Sequence, residues 1–430
     1  MKVSGYVYTL GLPFVAFLVL ATLNAATIPW FEYPDEKNHI HYAQFVARTG
    51  SLPPVVYSPV DDGETTARVA FNPPLYYWIA SRFLDPSAPF VSPQVRYAPR
   101  PPRGFPDPPK CGWDALGDLP MRLAAVRCLS ILFGLVTVVA CWGLGRAVRP
   151  GEPALAAAMA WFPVLIPQFV SMSAAINNEG LAVALASLST LLCARAAAGG
   201  RASTAGVAGV LLGAAAMAKV SALALSPALF LAVARGRRGW ARAAALTMAT
   251  CCVAGPWLFR NWVDHRDPTG VGAIEAVEAN RCAGRFPSNP MGVLRGVAVA
   301  GATFFLDYGQ LAIHLPRPLY LIPAALAGLA AWGWRRAARE PAGDVPFGLP
   351  AWTALACLAG AFLAYNLRVY SPQGRYLYVG VVFLAFLVAR GLLAWVPVER
   401  RGIVVLAVGV ASALAQLGYM VLVVGPAYGR

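Results

Sequence analysis

Charge is scarce in this chain of 430 residues. Only 13% of them are charged, where a soluble domain carries roughly 25%. That leaves too few polar side chains to cover a single soluble core, so a soluble globular domain is excluded. Lysine is nearly absent, at Lys2, Lys37, Lys110 and Lys219 alone. The apolar stretches do not alternate with polar residues, which argues against a transmembrane barrel. There is no internal repeat and no low-complexity tail. The net charge of +15 is not gathered into a basic stripe with interleaved aromatics, so nucleic acid is not an expected partner.

Hydrophobic residues make up 58% of the chain. Most fall in runs of about 17 to 25 residues, the length that crosses a hydrocarbon core of about 30 Å as a helix. The runs lie near 5–24, 121–147, 153–171, 180–198, 203–218, 220–234, 243–259, 318–334, 348–367, 376–394 and 403–424. The sequence therefore predicts an all-α polytopic membrane protein with about eleven transmembrane helices. The first run has only Lys2 before it and no small-residue cleavage site after it, so it reads as a retained helix rather than a signal peptide.

Arginine sets the orientation. With a cytoplasmic N-terminus, the inside ends hold Lys2, Arg146, Arg149, Arg195, Arg201, Arg235, Arg237, Arg238, Arg242, Arg335, Arg336, Arg339, Arg390, Arg400 and Arg401. Against these fifteen stand four acids, Glu152, Glu340, Asp344 and Glu399. Short loops rich in Arg remain inside, which predicts an N-in, C-out chain. Two long segments, 25–120 and 260–317, then face outward as extracytoplasmic loops, expected to contain short interfacial helices. Loop one holds a helix-compatible stretch, WFEYPDEKNHIHYAQFVARTG. It also holds FNPPLYYWIASRFL, whose aromatics suit a short interfacial helix, and the irregular APRPPRGFPDPPK.

The chemistry-bearing residues concentrate on that outer side. In the Tyr33–His41 segment, a helix would bring Asp35 and His39 onto one face. Asp35 is a candidate general base, with Glu36 and His39 in support. The same residues would also make a solvated, well-capped helix. Asn72 and Tyr76 lie in an NPPLYY stretch that also suits an aromatic belt. Asn178 and Glu179 form an interhelical turn that could merely cap the next helix. Lys219 stands between two apolar runs, where an ion costs a few kcal/mol and marks a functional site by default. Arg260 and Arg375, the latter beside Gln373 and Tyr376, end helices at the outer face. Cations there suit a lipid phosphate, and an acid opposite them suits deprotonation of a hydroxyl.

The order of these motifs (PDE after the first span, NPPLYY, NNE, AK, PWLFRN and QGRYLY) resembles the GT-C superfamily of polytopic glycosyltransferases, over nearly the whole chain. It is most similar to a branch with PPDE-type and QGRYL-type signatures. The resemblance implies one GT-C-like domain over 1–430 in a bacterial plasma (inner) membrane, and transfer of a sugar from a polyprenyl phosphate on the outer side of that membrane. It implies that the catalytic acid in loop one is Asp35, with Glu36 its neighbour. Asn72 departs from the His that often precedes the paired prolines. The chain also ends at its last span, so the carbohydrate-binding module of larger relatives is not expected.

The expected function is transfer of a sugar, with inversion, from a polyprenyl-phosphate donor to a hydroxyl of an envelope glycan, lipid or protein. Arg375, Arg260 and Lys219 would hold the donor phosphate. Asn72, Tyr76, Asn178, Glu179, Gln373 and Tyr376 would contact substrate. No cofactor is specifically implied. The acids of loop one are compatible with a divalent cation, though no spacing is diagnostic. The alternatives are a lipid-linked-oligosaccharide ligase or polymerase and a membrane transporter. Cys111 and Cys282 fall in the two outer loops, where a disulfide would persist and would tie the loops together.

Overall fold

The computed structural model describes residues 7–54, 69–87, 119–279, 289–306, 308, 313, 316–337 and 346–428. Cys111, Cys282 and the Pro-rich stretch of loop one lie outside them. Among the described residues all regular structure is helical apart from an isolated bridge between Tyr308 and Ile313. Seven helices are long and apolar enough to cross a membrane. A bent pair, α5 (Pro153–Val164) and α6 (Pro167–Ser173), would make an eighth span, its halves inclined at 67°. Pro163 and Pro167 flank the break; each lacks the N–H that would continue the helix. The chain is a multi-pass membrane protein. The other apolar runs form shorter helices, α8 (Ala202–Ala218), Val220–Val233 and α13 (Leu321–Ala337), so a count of eleven crossings is not established.

The second long loop carries a short helix, as expected. This helix, α12 (Pro290–Phe305), is apolar and has 16 residues. Asn289 caps it by accepting from the Gly292 amide at 2.6 Å, and Pro290 suits its first turn. It is too short to read as a span, and Arg295 interrupts its apolar pattern. It packs on the 3-10 segment Gly374–Gly380, where Tyr378 donates to the Phe304 carbonyl at 2.6 Å.

Two short helices of loop one, α2 (Glu36–Thr49) and α3 (Leu75–Ser81), fold onto one end of the bundle. Their apolar faces share a core with Leu123 and Val126 of α4 (Leu119–Val148), Leu181 of α7 (Glu179–Ala197) and Ala218. Tyr76 and Tyr77 are fully buried there, while Trp78 and Phe83 stay exposed. The stretch is therefore half core and only half a surface belt.

The opposite end is closed by arginines. Arg242 donates to the carbonyls of Ala196 and Arg235, both at helix C-termini. Glu152 gathers Arg149, Arg390 and Arg401 at 3.1, 3.6 and 2.6 Å. Cations at helix C-termini complement the macrodipole.

Candidate active site

The site is assembled around a buried pair. Arg127 lies on α4, inside an apolar run, and is 2% exposed; its partner Glu36 has no exposed side-chain surface. Arg127 donates from Nε to Glu36 Oε1 at 3.0 Å and from Nη2 to Oε2 at 2.8 Å. Its remaining N–H groups reach the carbonyls of Ala25, Ile28 and Pro29. Glu36 also accepts from the amides of Phe31 at 2.8 Å and Ile176 at 3.1 Å. Trp30 and Tyr33 flank the guanidinium. A buried ion pair is tolerable only when its hydrogen bonds are satisfied, and here every polar atom of both groups is engaged. Glu36 thereby fixes the turn after the first span; it is anchored away from the open surface.

That turn presents Asp35. Its backbone is left-handed, with φ of 61°, and Phe31 in the same turn has φ of 70°. Such conformations cost roughly 1–3 kcal/mol, persist where surroundings impose them, and cluster at functional sites. Asp35 occupies the cap position of α2 but makes no side-chain capping bond, so the carboxylate is not spent on the helix. It is ion-paired to Arg375 Nη2 instead. Of the two, 41% of the Asp35 side chain is accessible and 4% of Arg375, so a substrate meets the carboxylate first.

Arg375 ties its own segment to loop one and to α7. Its Nε donates to Gln373 Oε1 at 2.6 Å and lies 3.9 Å from Glu179 Oε1. Lys219 Nζ contacts the same Glu179 oxygen at 2.5 Å and sits 4.8 Å over the Tyr376 ring. Asn178 donates to the Ala218 carbonyl at 2.7 Å, fastening the NNE turn beside Lys219. Asn177 accepts from the amides of Glu179 and Gly180, which begins α7 and aims Glu179. Ser371 bridges Gln373 and Tyr376 at 3.2 and 3.1 Å. Asp35, Glu179, Arg375 and Lys219 thus form one electroneutral network from distant parts of the chain.

His39 lies behind Asp35. Its Nδ1 is 2.8 Å from the Tyr77 hydroxyl, and Tyr77 stacks on Tyr42 at 3.6 Å. Tyr42 donates to the Asn72 carbonyl at 3.2 Å. Burial pushes the His39 imidazole down to about 4, against the raising influence of Asp35, so it is neutral at neutral pH. Burial acts to raise the pKa of Asp35, but Arg375 above all holds it below the usual carboxylate range.

Arg260 stands apart from this network. It pairs with Asp264 at 3.3 Å and lies over Trp257 on α10 (Gly239–His265). Tyr76 is enclosed edge-to-face with Tyr77. Arg127 is the central residue that the sequence reading did not single out, although a charge within an apolar run is itself a signal. Among the described residues no group of three or more His, Cys, Asp or Glu could hold a metal ion.

The whole chain follows a known architecture. Over 99% of its length it superposes on 74% of ArnT from Cupriavidus metallidurans bound to undecaprenyl phosphate, with a TM-score of 0.56 at 13% identity. The fold is of the GT-C type. The apo state of the same ArnT gives a TM-score of 0.56 at 13% identity, covering 100% of this chain and 74% of that one. A family model described as dolichyl-phosphate-mannose-protein mannosyltransferase matches residues 120–258, about a third of the chain. The match includes Arg127, Glu179 and Lys219; Asp35 and Arg375 fall outside it. No curated protein matches the sequence. In this GT-C fold the described network sits where the first loop, the α7 turn and the Gly374–Gly380 segment converge.

Proposed function

We propose that the chain is an inverting glycosyltransferase that takes a sugar from a polyprenyl-phosphate donor at the outer face of a bacterial inner membrane. The observation that carries this reading is the accessible, ion-paired Asp35 held in a strained turn by a buried anchor, within a GT-C fold. An ArnT of the same fold binds undecaprenyl phosphate, which supports a lipid-phosphate donor here. The Arg bias of the opposite end supports N-in, C-out topology.

The acceptor hydroxyl oxygen attacks the anomeric carbon as the bond from that carbon to the phosphate oxygen breaks. The hydroxyl proton passes to Asp35, and polyprenyl phosphate leaves with the bonding electron pair. Arg375 and Lys219 stabilise that leaving anion, which is where fixed charge is most effective. Glu179 holds both cations in place. Asn178, Gln373 and Tyr376 position them, and Asn72 and Tyr76 act through the packing of loop one.

The test is release of lipid phosphate from a radiolabelled polyprenyl-phosphate sugar by purified protein with an envelope extract as acceptor. Wild type should release it, and Asp35→Asn should lose most of the rate while eluting as a folded monodisperse species. Wild-type turnover by Asp35→Asn would refute the assignment.

A further inference from the structure

Helix α10 has 27 residues, about 40 Å at 1.5 Å per residue. That exceeds a hydrocarbon core of about 30 Å, and its last turns lie beside loop one. They form one wall of a cleft of about 340 Å³, with Pro53 and Phe71 of loop one on the other. That volume is at the small end of ligand pockets, which run from about 300 to 1,000 Å³. It suits a single ring.

The chemistry of the walls is amphipathic and uncharged in sum. Arg260 and Asp264 face the cleft as an ion pair, 48% and 44% exposed. His265 adds a group that can donate and accept. Phe71 gives apolar surface, while Trp257 is buried beneath Arg260 and backs the guanidinium. An anion would gain from Arg260 and lose to Asp264, so this pair does not favour a phosphate. A neutral ring with adjacent hydroxyls satisfies both members: the guanidinium fork donates to hydroxyl oxygens and the carboxylate accepts from hydroxyl protons. Its C–H face would rest on Phe71.

The cleft also communicates with the catalytic turn. Phe71 precedes Asn72, whose carbonyl holds the Tyr42 hydroxyl. Tyr42 stacks on Tyr77, and Tyr77 is hydrogen-bonded to His39, one helical turn from Asp35.

We propose that this cleft binds a neutral sugar ring of the acceptor, which makes the acceptor a glycan. The identity of the ligand as an acceptor rests on the transferase reading; the binding of a sugar does not. Full-length protein in a sugar-free detergent is examined by saturation-transfer NMR with a panel of methyl glycosides of neutral hexoses. At least one glycoside should receive saturation at its ring protons. The signal should fall at least fivefold in Asp264→Ala and in Arg260→Ala, and partly recover in Asp264→Asn. Asp35→Asn should retain it. No saturation of any glycoside, an unchanged signal in Asp264→Ala, or displacement by inorganic phosphate would each overturn the proposal. An active transferase that shows no glycoside binding sinks this inference alone. A protein that binds glycosides but never releases lipid phosphate sinks the transferase reading alone.

Discussion

Replacing Glu36 by Gln keeps the shape of a fully enclosed side chain and removes its charge. Arg127 then remains as a buried cation without a counter-charge, which costs about 3–5 kcal/mol. The amide adds a second penalty. Four donors converge on the two Glu36 oxygens: Arg127 Nε and Nη2, and the amides of Phe31 and Ile176. A glutamine must turn its own NH₂ toward some of them, and each orphaned donor costs roughly 1–3 kcal/mol. The left-handed turn at Phe31 and Asp35 should relax as its anchor fails. We expect a midpoint several degrees lower when detergent-solubilised protein is heated and the surviving monodisperse fraction measured. Transfer at low temperature should fall in step with the folded fraction. Doubling the change to Glu36→Leu with Arg127→Met should recover little. Many buried pairs can be replaced by apolar residues at no loss, but this one also serves the carbonyls of Ala25, Ile28 and Pro29 and two amides. A Glu36→Gln protein with wild-type melting and no transfer would refute the reasoning, since it would place Glu36 in the chemistry.

Arg375→Ala should lower transfer at least a hundredfold and Arg375→Lys about tenfold or more in the lipid-phosphate release assay, because a lysine cannot reproduce the guanidinium fork. The acid limb of the pH–rate profile should lie below the usual carboxylate range, as Asp35 requires, with no step near 6.5, because His39 stays neutral down to about 4. Stability should fall as pH drops from about 6.5 toward 4, where the unfolded chain binds a proton at His39 that the folded chain refuses; thermal midpoints across that range check it. Gly374→Ala should misplace Arg375 and cut turnover, since its Cβ would meet the Ala300 carbonyl at 2.0 Å and the Phe304 amide at 2.5 Å; a wild-type rate would show that the segment yields freely.

Much of the fold is written in composition. Arg-rich ends and apolar runs place the helices, and the runs are helical where described. What escaped is what local pattern cannot carry. A short helix in the second loop was expected, but not that its Thr303 hydroxyl accepts from the Gly374 amide at 2.8 Å and so supports the Arg375 segment. Asp35, Glu179, Lys219 and Arg375 were each legible as charges beside apolar runs. Their meeting was not, because sequence separations of 340 residues leave no periodicity to read. Asp35 and Glu36 are adjacent acids with opposite environments. One is open and paired to a site cation, the other sealed against Arg127, and only the tertiary structure separates them. Arg260 looked like a companion of Arg375, but its i+4 acid, Asp264, sits on the same helix face and holds it in the neighbouring cleft.

The network also constrains how donor and base share one guanidinium. Arg375 is 4% exposed and already bonded to Asp35, while Lys219 is engaged by Glu179. A phosphate arriving here meets two cations whose charge two carboxylates cancel. Its oxygens must therefore compete with Asp35 for Arg375. Asp35→Asn removes that competitor and leaves the network one positive charge in excess. Catalysis and phosphate affinity should then move in opposite directions. A partly accessible charge-assisted bond is worth about 1.5–3 kcal/mol, and solvent screening at the open carboxylate reduces this to about 1 kcal/mol. At about 1.4 kcal/mol per tenfold, undecaprenyl phosphate should bind Asp35→Asn roughly fivefold more tightly than wild type, while the rate of sugar transfer collapses. Thermophoresis of the detergent-solubilised protein against undecaprenyl phosphate gives the affinity, and undecaprenol controls for the tail. If Asp35→Asn binds the lipid phosphate more weakly than wild type, the carboxylate supports the phosphate site instead of competing with it, and its role as a base for the acceptor is lost.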